Sequence, residues 1–588
     1  MAQQRRASST NVGPAAPSGG WRDRFAVWRA ARMAPAKGFV SQPEPRTIGL
    51  FARGRQVLAG NFLFAGHLVE APGVAIWDIA APTQGFADEM HGFGWLDDLA
   101  AVGDATARQR AQDWTWDWFR RYGPGKGPGW TPDLTGRRLI RWINHAFLLL
   151  ATRTPAQQAD YFRVLTTQTV FLSRRWHEAT PGLPRFEALT GMISAGLALT
   201  GMASLVTPAV AALADDCRKG IDAEGGIPTR NPEELLEVFT LLTWAARALT
   251  EAGRLVPAEH QAALERIAPT LRALRHADGG LARFHDGGRG MEGRLDQALA
   301  TAGVRAFAQT GLAMGFARMT GGRTTVIVDA AAPPEGRASL KAHASTNALE
   351  LTSGRRPVVV SCGSGRPFGE DWQRAGRATP SHSTLAVDGF SSSRLASEGP
   401  EVLSDRATVT VARLMPGENG TLLHLVHAGW AATHGLSHVR DLSLSTDGRR
   451  LSGIDKLSSL STAEKRRFER LMNDGRLEGV GFALRFHLHP DVDARLDLGG
   501  AAVSLALKSG EIWVFRHDGA AQLTLEPSVY LEKTRLRPRA TKQIVMTARA
   551  VDFETQLGWT LAKAQDTPLA IRDLEREDLP LAQGRVPT

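Results

Sequence analysis

Two cysteines, Cys217 and Cys362, are all that the 588 residues contain. With no paired spacing, they exclude a disulfide framework and a cysteine-based zinc or iron–sulfur site. Tyrosine is almost as scarce: Tyr122, Tyr161 and Tyr530 are the only three, so a tyrosine acid or base would have to be one of them. No stretch reaches the roughly 18 consecutive apolar residues of a membrane-crossing helix. The start, MAQQRRASSTNVGPAAPSGG, has positive charge but no apolar h-region, so taken at face value it predicts a cytoplasmic protein. Neither a phosphate-binding glycine loop after a strand nor a Gly-x-Ser-x-Gly elbow occurs, which excludes nucleotide-binding and α/β-hydrolase chemistry of those types.

What is present is ordinary globular composition, 43% hydrophobic and 22% charged, at a length beyond the ~250–300 residues that one core serves. Two large domains are expected. The formal net charge of +10 comes mainly from arginine, lysines being few. The guanidinium fork pairs bidentately with carboxylate, sulfate or phosphate, so an acidic polymer is one reading of the charge and a dispersed basic surface is the other.

Residues 1–50 are rich in Arg, Ser, Pro and Gly. Within them Trp21–Met33 could form a short amphipathic helix carrying Trp21, Phe25 and Trp28. It would lie on an anionic membrane surface or dock on the protein's own body, and the second is preferred. Residues 51–322 repeat helical apolar patterns separated by Gly/Pro turns, which predicts serial antiparallel helix pairs, an α/α toroid. In NPEELLEVFTLLTWAARALTEAG, Asn231 is the expected N-cap, Pro232 the first helical residue and Glu234 the partner of a capping box. Leu235, Val238, Phe239, Leu242, Ala245, Ala246 and Leu249 form its buried stripe. The aromatic run Trp114, Trp116, Trp118 and Phe119 is expected to be mostly core, with sugar stacking as the alternative.

From residue 323 to 575 the apolar period changes to two. RPVVVSCGS, ATVTVARL, TLLHLVHAGW, HVRDLSLST, VSLALKSGEIWVFR and KQIVMTARA read as strands joined by turns such as Asp447-Gly448 and Ser509-Gly510. Strands without intervening helices predict an antiparallel β-sandwich, followed by a tail, 576–588. The expected fold is therefore a helical domain followed by a β-sandwich.

The order of LPRFEALTGMISAGLALTGM, GGIPTRNPEELLEVFTLL, RHADGGLARFHDGG, KAHASTNALELTSG, ATPSHSTLAVDG and RFHLHP resembles the heparinase II/III-like polysaccharide lyases, in a bacterial subgroup, over about residues 50–570. The resemblance implies an acidic, uronate-containing polysaccharide as partner, not a nucleic acid. It implies β-elimination, in which the carboxylate is neutralised, the C5 proton removed and the departing oxygen protonated. It also implies a cell-envelope or periplasmic location, against the cytoplasmic expectation from the N-terminus. The family's Asn-His pair falls here on Leu183-Pro184, and its tyrosine on Glu234. Arg185 and Glu187 lie on the same helix, and the family's His-x-His becomes Lys341-Ala342-His343. The catalytic candidates are thus His343, Lys341, Arg185, Glu187 and Glu234. The family's metal ligands fall on His343, Ser361 and His382, which leaves His343 and His382 as candidate ligands for a divalent ion such as zinc, with no other cofactor implied. His343 and His382 are expected on neighbouring strands with touching side chains, and Lys341 on the same face as His343. His487 and His489 could mimic a metal pair, but burial is the preferred reading. The alternative function is a catalytically degenerate polysaccharide-binding or envelope-assembly protein.

Overall fold

The computed structural model describes residues 21–304, 311–396, 401–475, 477–533 and 535–564. The chain forms two compact units. One takes in residues up to Asp216 together with Trp244–Pro257; the other takes in Cys217–Thr243 and the chain from Ala258 through the sandwich. The division runs through the helix Pro232–Glu251, whose first turns belong to the second unit.

The first unit is helical, with one hairpin, Asn61–Phe64 with His67–Glu70, that the helical periodicity did not announce. Its helices Pro132–Asn144 and Leu183–Ala198 cross at Gly136 and Gly191. A Cβ on either glycine would overlap backbone atoms of the other helix, so the absence of a side chain sets the approach. Beside this crossing Arg138 is fully buried. It donates to Gln168 Oε1 at 2.9 Å and to the carbonyls of His91 and Gly129 at 2.9 and 2.8 Å, under the Trp118 ring. Burial brings its pKa down to about 9. Trp114, Trp118 and Phe119 are buried and Trp116 half-buried, as expected of core. The helix Trp21–Ala30 docks on the same unit through Ala26, Val27 and Ala30 and an Asp23–Arg175 ion pair of 2.7 Å. This is the preferred of its two readings, although Trp21, Phe25 and Trp28 stay exposed.

The second unit holds the sandwich. All its strand pairs are antiparallel. One sheet runs in the order Val409–Gly417, Gly420–Trp430, Leu436–Ser445, Arg450–Ser458, Glu554–Lys563, Ile512–His517, Ala502–Ala506, Asp493–Asp497. The other runs Gln522–Tyr530, Arg539–Ala550, Val480–Leu488, Arg356–Val360, Leu349–Ser353, Thr324–Asp329, Phe316–Gly321, Leu312–Ala313, with Leu385–Val387 paired on Val480–Leu488. Alternate residues of both sheets fill one core, where Phe486 meets Phe515 and Trp559 with ring centroids 5.0 and 4.7 Å apart. The six strand segments read from the sequence are all strands, and Gly448 and Gly510 take the left-handed turn conformation, φ 67° and 84°. The helix Thr462–Asp474, closed by a Ser461/Glu464 capping box, was not expected.

In the helix Pro232–Glu251 the Asn231 Oδ1 accepts the Glu233 and Glu234 amides at 3.0 and 3.1 Å. Its predicted stripe is buried except Ala246, which is half-buried.

Because the Pro132–Asn144 crossing depends on two glycines, Gly136→Ala should force the helices apart and lower stability by about 1–3 kcal/mol, the usual cost of overpacking. A melting temperature equal to wild type would show that the helices can separate freely.

Candidate functional site

Asp329 ends the strand Thr324–Asp329 with no exposed surface. Its carboxylate accepts Arg230 and the Ser345 hydroxyl, each at 2.6 Å, and faces His285 Nε2 at 3.5 Å. Arg230 spends its remaining donors on the carbonyls of Met314, Gly315, Ala331 and Ala332. The surrounding backbone is strained. Arg230, His285, Asp286, Met314 and Asn347 all have positive φ, between 48° and 69°, a conformation that costs such residues roughly 1–3 kcal/mol each and persists where packing over-determines it.

His285 and Asp286 carry this strain into the histidine cluster. The Asp286 amide donates to His343 Nε2 at 3.1 Å, and the His343 amide donates to His285 Nδ1 at 3.2 Å. A backbone amide can only donate, so His343 keeps its proton on Nδ1 and His285 on Nε2. The His382 ring lies against His343 with centroids 5.2 Å apart. Burial holds the pKa of all three well below the ordinary imidazole value, the charges of neighbouring cationic groups adding to it.

The expected meeting of His343 and His382 is observed, but not by the expected route. Neither residue is in a strand. His343 follows the 3₁₀ turn Gly336–Lys341, and His382 follows the 3₁₀ turn Thr379–Ser381. The alternation argument that placed Lys341 beside His343 therefore does not apply. An imidazole ordinarily titrates near ~6.5, and His343 is held well below that because burial makes its charged ring costly.

Above His343 opens a small, partly open pocket lined by Asp286, Lys341, His343, Ser364, Gly365, Arg366, Gln373 and Arg377. Ser364 donates to Asp286, and Arg366 stands 3.7 Å from it. A Cβ on Gly365 would overlap the Trp372 carbonyl, so the loop lies close on the helix Glu370–Arg377. Loss of hydration, with Arg366 nearby, lowers the Lys341 pKa. Lys341 makes no ion pair among the described residues. At the start of the helix Pro232–Glu251, Glu233 accepts the Gly288 amide and Lys533 Nζ, both at 2.8 Å. Burial raises the Glu234 pKa and the charge of Lys341 opposes the rise. Glu234, Lys341, His343 and His382 thus share one neighbourhood.

Arg185 and Glu187 are in the first unit. Arg185 donates to the carbonyls of His177 and Ala179. Glu187 pairs with Arg137 at 2.7 Å, and burial pushes its pKa up to about 7. Tyr161 is buried with its hydroxyl on the Trp142 carbonyl, and Tyr530 is buried against Arg283 and His489. His487 and His489 are buried as preferred; the His487 ring bonds Ser528 and the Pro380 carbonyl and meets Cys362.

The donor set does not fit zinc, which takes three or four ligands. His343 Nε2 is occupied by an amide, the position that the resemblance gives to the family's third ligand is the hydroxyl residue Ser361, and among the described residues no group of three or more His, Cys, Asp or Glu is arranged to hold a metal. His343 Nδ1, both His382 nitrogens and Ser361 Oγ are buried without a protein partner. Arg230, His285, Asp286, Asp329, Arg366 and Lys533 were not singled out from sequence. The stretch RHADGGLARFHDGG was marked only as a landmark, though its His-Asp-Gly-Gly, with two polar residues before a glycine pair, carries a turn signal.

Residues 305–560 match the model of the heparinase II/III-like C-terminal domain. The chain is 31% identical over 578 residues to FtsZ-localized protein C of Caulobacter vibrioides, covering 92% of this chain and 96% of that one. In structure it is similar to a mutant of the heparan sulfate lyase HepC from Pedobacter heparinus, at 15% identity and TM-score 0.57, over 93% of this chain and 88% of that one. It is also similar to heparinase III, at 12% identity and TM-score 0.65, over 92% and 89%. At these identities the structural likeness is one of fold.

Two predictions follow from the geometry. Asp329→Asn places an amide donor against donors and leaves the Arg230 charge without its carboxylate, which should cost about 3–5 kcal/mol in denaturant unfolding. The three buried histidines have folded pKa values below the unfolded ~6.5, so the unfolded state binds more protons below that value and stability should fall as pH drops through it. Imidazole NMR signals of His343 that titrate near 6.5 in the folded protein would contradict this.

Proposed function

The chain belongs to the heparinase II/III-like family, and from that premise we propose that it is a polysaccharide lyase that cleaves a uronate-containing glycan by β-elimination in the Lys341 cleft. The observation that carries the reading is the cleft itself: Lys341 makes no ion pair among the described residues, and Arg366 beside it is exposed. A uronate carboxylate at Lys341 would have its charge compensated where water is reduced, which acidifies the adjacent C5–H. Glu234, at the position the family resemblance gives to tyrosine, is the proton carrier. As a carboxylate it takes the C5 proton; the C–H electrons form the C4–C5 double bond, the C4–O bond breaks, and Glu234 returns the proton to the departing oxygen. One group suffices because the proton lost and the proton gained balance. Burial that raises the Glu234 pKa strengthens it as a base while leaving it in reach of ionisation. His343 cannot serve as the base in this arrangement, because its lone pair at Nε2 holds the Asp286 amide. It positions the Asp286 side of the cleft.

A second reading is favoured by the name of the relative, FtsZ-localized protein C, and by its near-full-length similarity. In it the chain binds an envelope glycan without cleaving it and co-localises with FtsZ. A fluorescent fusion imaged with FtsZ, and fractionation of cells expressing the natural locus, test placement.

The lyase reading predicts ultraviolet absorbance from an unsaturated uronate when the protein meets a panel of uronate polysaccharides. It also predicts that Glu234→Gln abolishes the signal while moving stability by no more than about 1 kcal/mol, the size of a first-turn charge effect. Measurable glycan binding with no unsaturated product from any substrate would establish the second reading instead.

A further inference from the structure

We infer that ordered water takes the place that the family resemblance gives to a divalent ion, joining His343, His382 and Ser361, and that the protein needs no metal there. The inference goes beyond the proposed function and does not rest on it. Its basis is which buried atoms still have a lone pair to offer.

Hydrogen bonds between two short segments bring the residues together. The Cys362 amide donates to the Ser381 carbonyl at 2.9 Å, and the Ser383 hydroxyl donates to the Val360 carbonyl at 2.7 Å. Residues 360–362 therefore run against 381–383, which sets Ser361 opposite His382. The His343 ring lies against His382 with centroids 5.2 Å apart, and all three residues are buried. His343 Nδ1, both His382 nitrogens and Ser361 Oγ have no protein partner. Buried polar atoms of native proteins are almost always satisfied, so a cluster of them in this condition points to a ligand.

The chemistry of these atoms selects that ligand. A metal ion takes lone pairs, and His343 has committed the one at Nε2 to the Asp286 amide. Its Nδ1 therefore carries the proton and presents a donor. To coordinate through Nδ1 the ring would have to move its proton to Nε2, where it would face the Asp286 N–H, donor against donor. Nor is a carboxylate free to balance the charge of an ion. Ser361 brings a neutral hydroxyl, Asp329 is engaged by Arg230 and Ser345, Glu350 by His276 and the Arg283 amide, and Asp286 by Ser364 and Arg366. Arg377 and Lys533 add positive charge around the His343 ring, and Arg283 donates to the Ser361 carbonyl at 2.5 Å. Water has the profile that a cation lacks. It accepts from His343 Nδ1–H, donates to the lone pair of the neutral His382 ring and bonds the Ser361 hydroxyl, about the three partners that a buried water usually has.

The test uses the full chain and does not depend on activity. Elemental analysis of protein purified without a metal-chelating tag should find less than about a tenth of an equivalent of zinc per chain. EDTA should leave the melting temperature unchanged, since stripping an ion bound by the folded state alone would lower it. Nitrogen-15 NMR of the histidine rings should show His343 protonated at Nδ1, with signals that zinc chloride does not move. A crystal structure should place a peak without anomalous signal within about 2.7–3.2 Å of His343 Nδ1, a His382 nitrogen and Ser361 Oγ. Ser361→Asp supplies the missing carboxylate but frees no lone pair on His343, so the folded variant should still not hold zinc at micromolar concentration. Stoichiometric zinc in the wild type, a melting temperature that falls with EDTA, or His343 protonated at Nε2 overturns the inference. So does an anomalous peak at that point from a metal or a halide, or tight zinc binding by the variant. If the variant fails to fold, the metal content and the His343 tautomer of the wild type carry the test.

Discussion

The second unit is organised around one buried carboxylate. Asp329 accepts Arg230 from the turn that enters the helix Pro232–Glu251, Ser345 from the loop after His343, and faces His285 from the loop that carries Asp286. An isolated buried carboxylate would be prohibitively costly, and so would an isolated buried guanidinium. Each stays only because the other does, and because Arg230 fills its remaining donors with carbonyls. Three chain segments distant in sequence are thereby fixed to one strand end. Five positive-φ residues around them are held in conformations the isolated chain would leave.

That fixation decides what the histidines can do. With the Asp286 amide on Nε2, His343 has its tautomer chosen by the backbone, and its burial keeps it neutral. An imidazole in this state can orient a loop, but it has no free lone pair facing the cleft. The shifted titratable groups beside them are Glu234 and Lys341. Loss of hydration acts on them in opposite directions, raising the acid and lowering the base.

The two-part architecture was legible because period and punctuation are local. Asn231-Pro232 with two glutamates marks a helix start whatever the rest of the chain does, and the strands from Arg356 to Ala550 alternate visibly. The sequence named some of the neighbours of this pocket but not the contacts that hold them. Lys341, His343, His382 and Glu234 were all singled out, yet KAHAST looks like an alternating strand and folds as a 3₁₀ turn running into a loop. What fixes it there is Asp329 holding Ser345 and His285 meeting the His343 amide, contacts over 16 and 58 residues. No window of sequence carries those. The helix Thr462–Asp474 was missed for the opposite reason: its Ser461/Glu464 capping box is a local signal, but it interrupts a region whose prevailing period is two.

Charge shows the same division between what composition reveals and what placement decides. The chain as a whole is basic, at +10, and composition alone leaves a polyanion partner and a dispersed basic surface equally open. At the pocket Arg366 and Arg377 each stand beside a carboxylate, as does Lys533 nearby. Screening over about 8–10 Å at physiological salt keeps distant surface arginines from contributing much there. The overall charge sets the long-range field, but the potential at the pocket is set by the few charges within reach of it. Of these, Lys341 alone lacks a contact partner among the described residues.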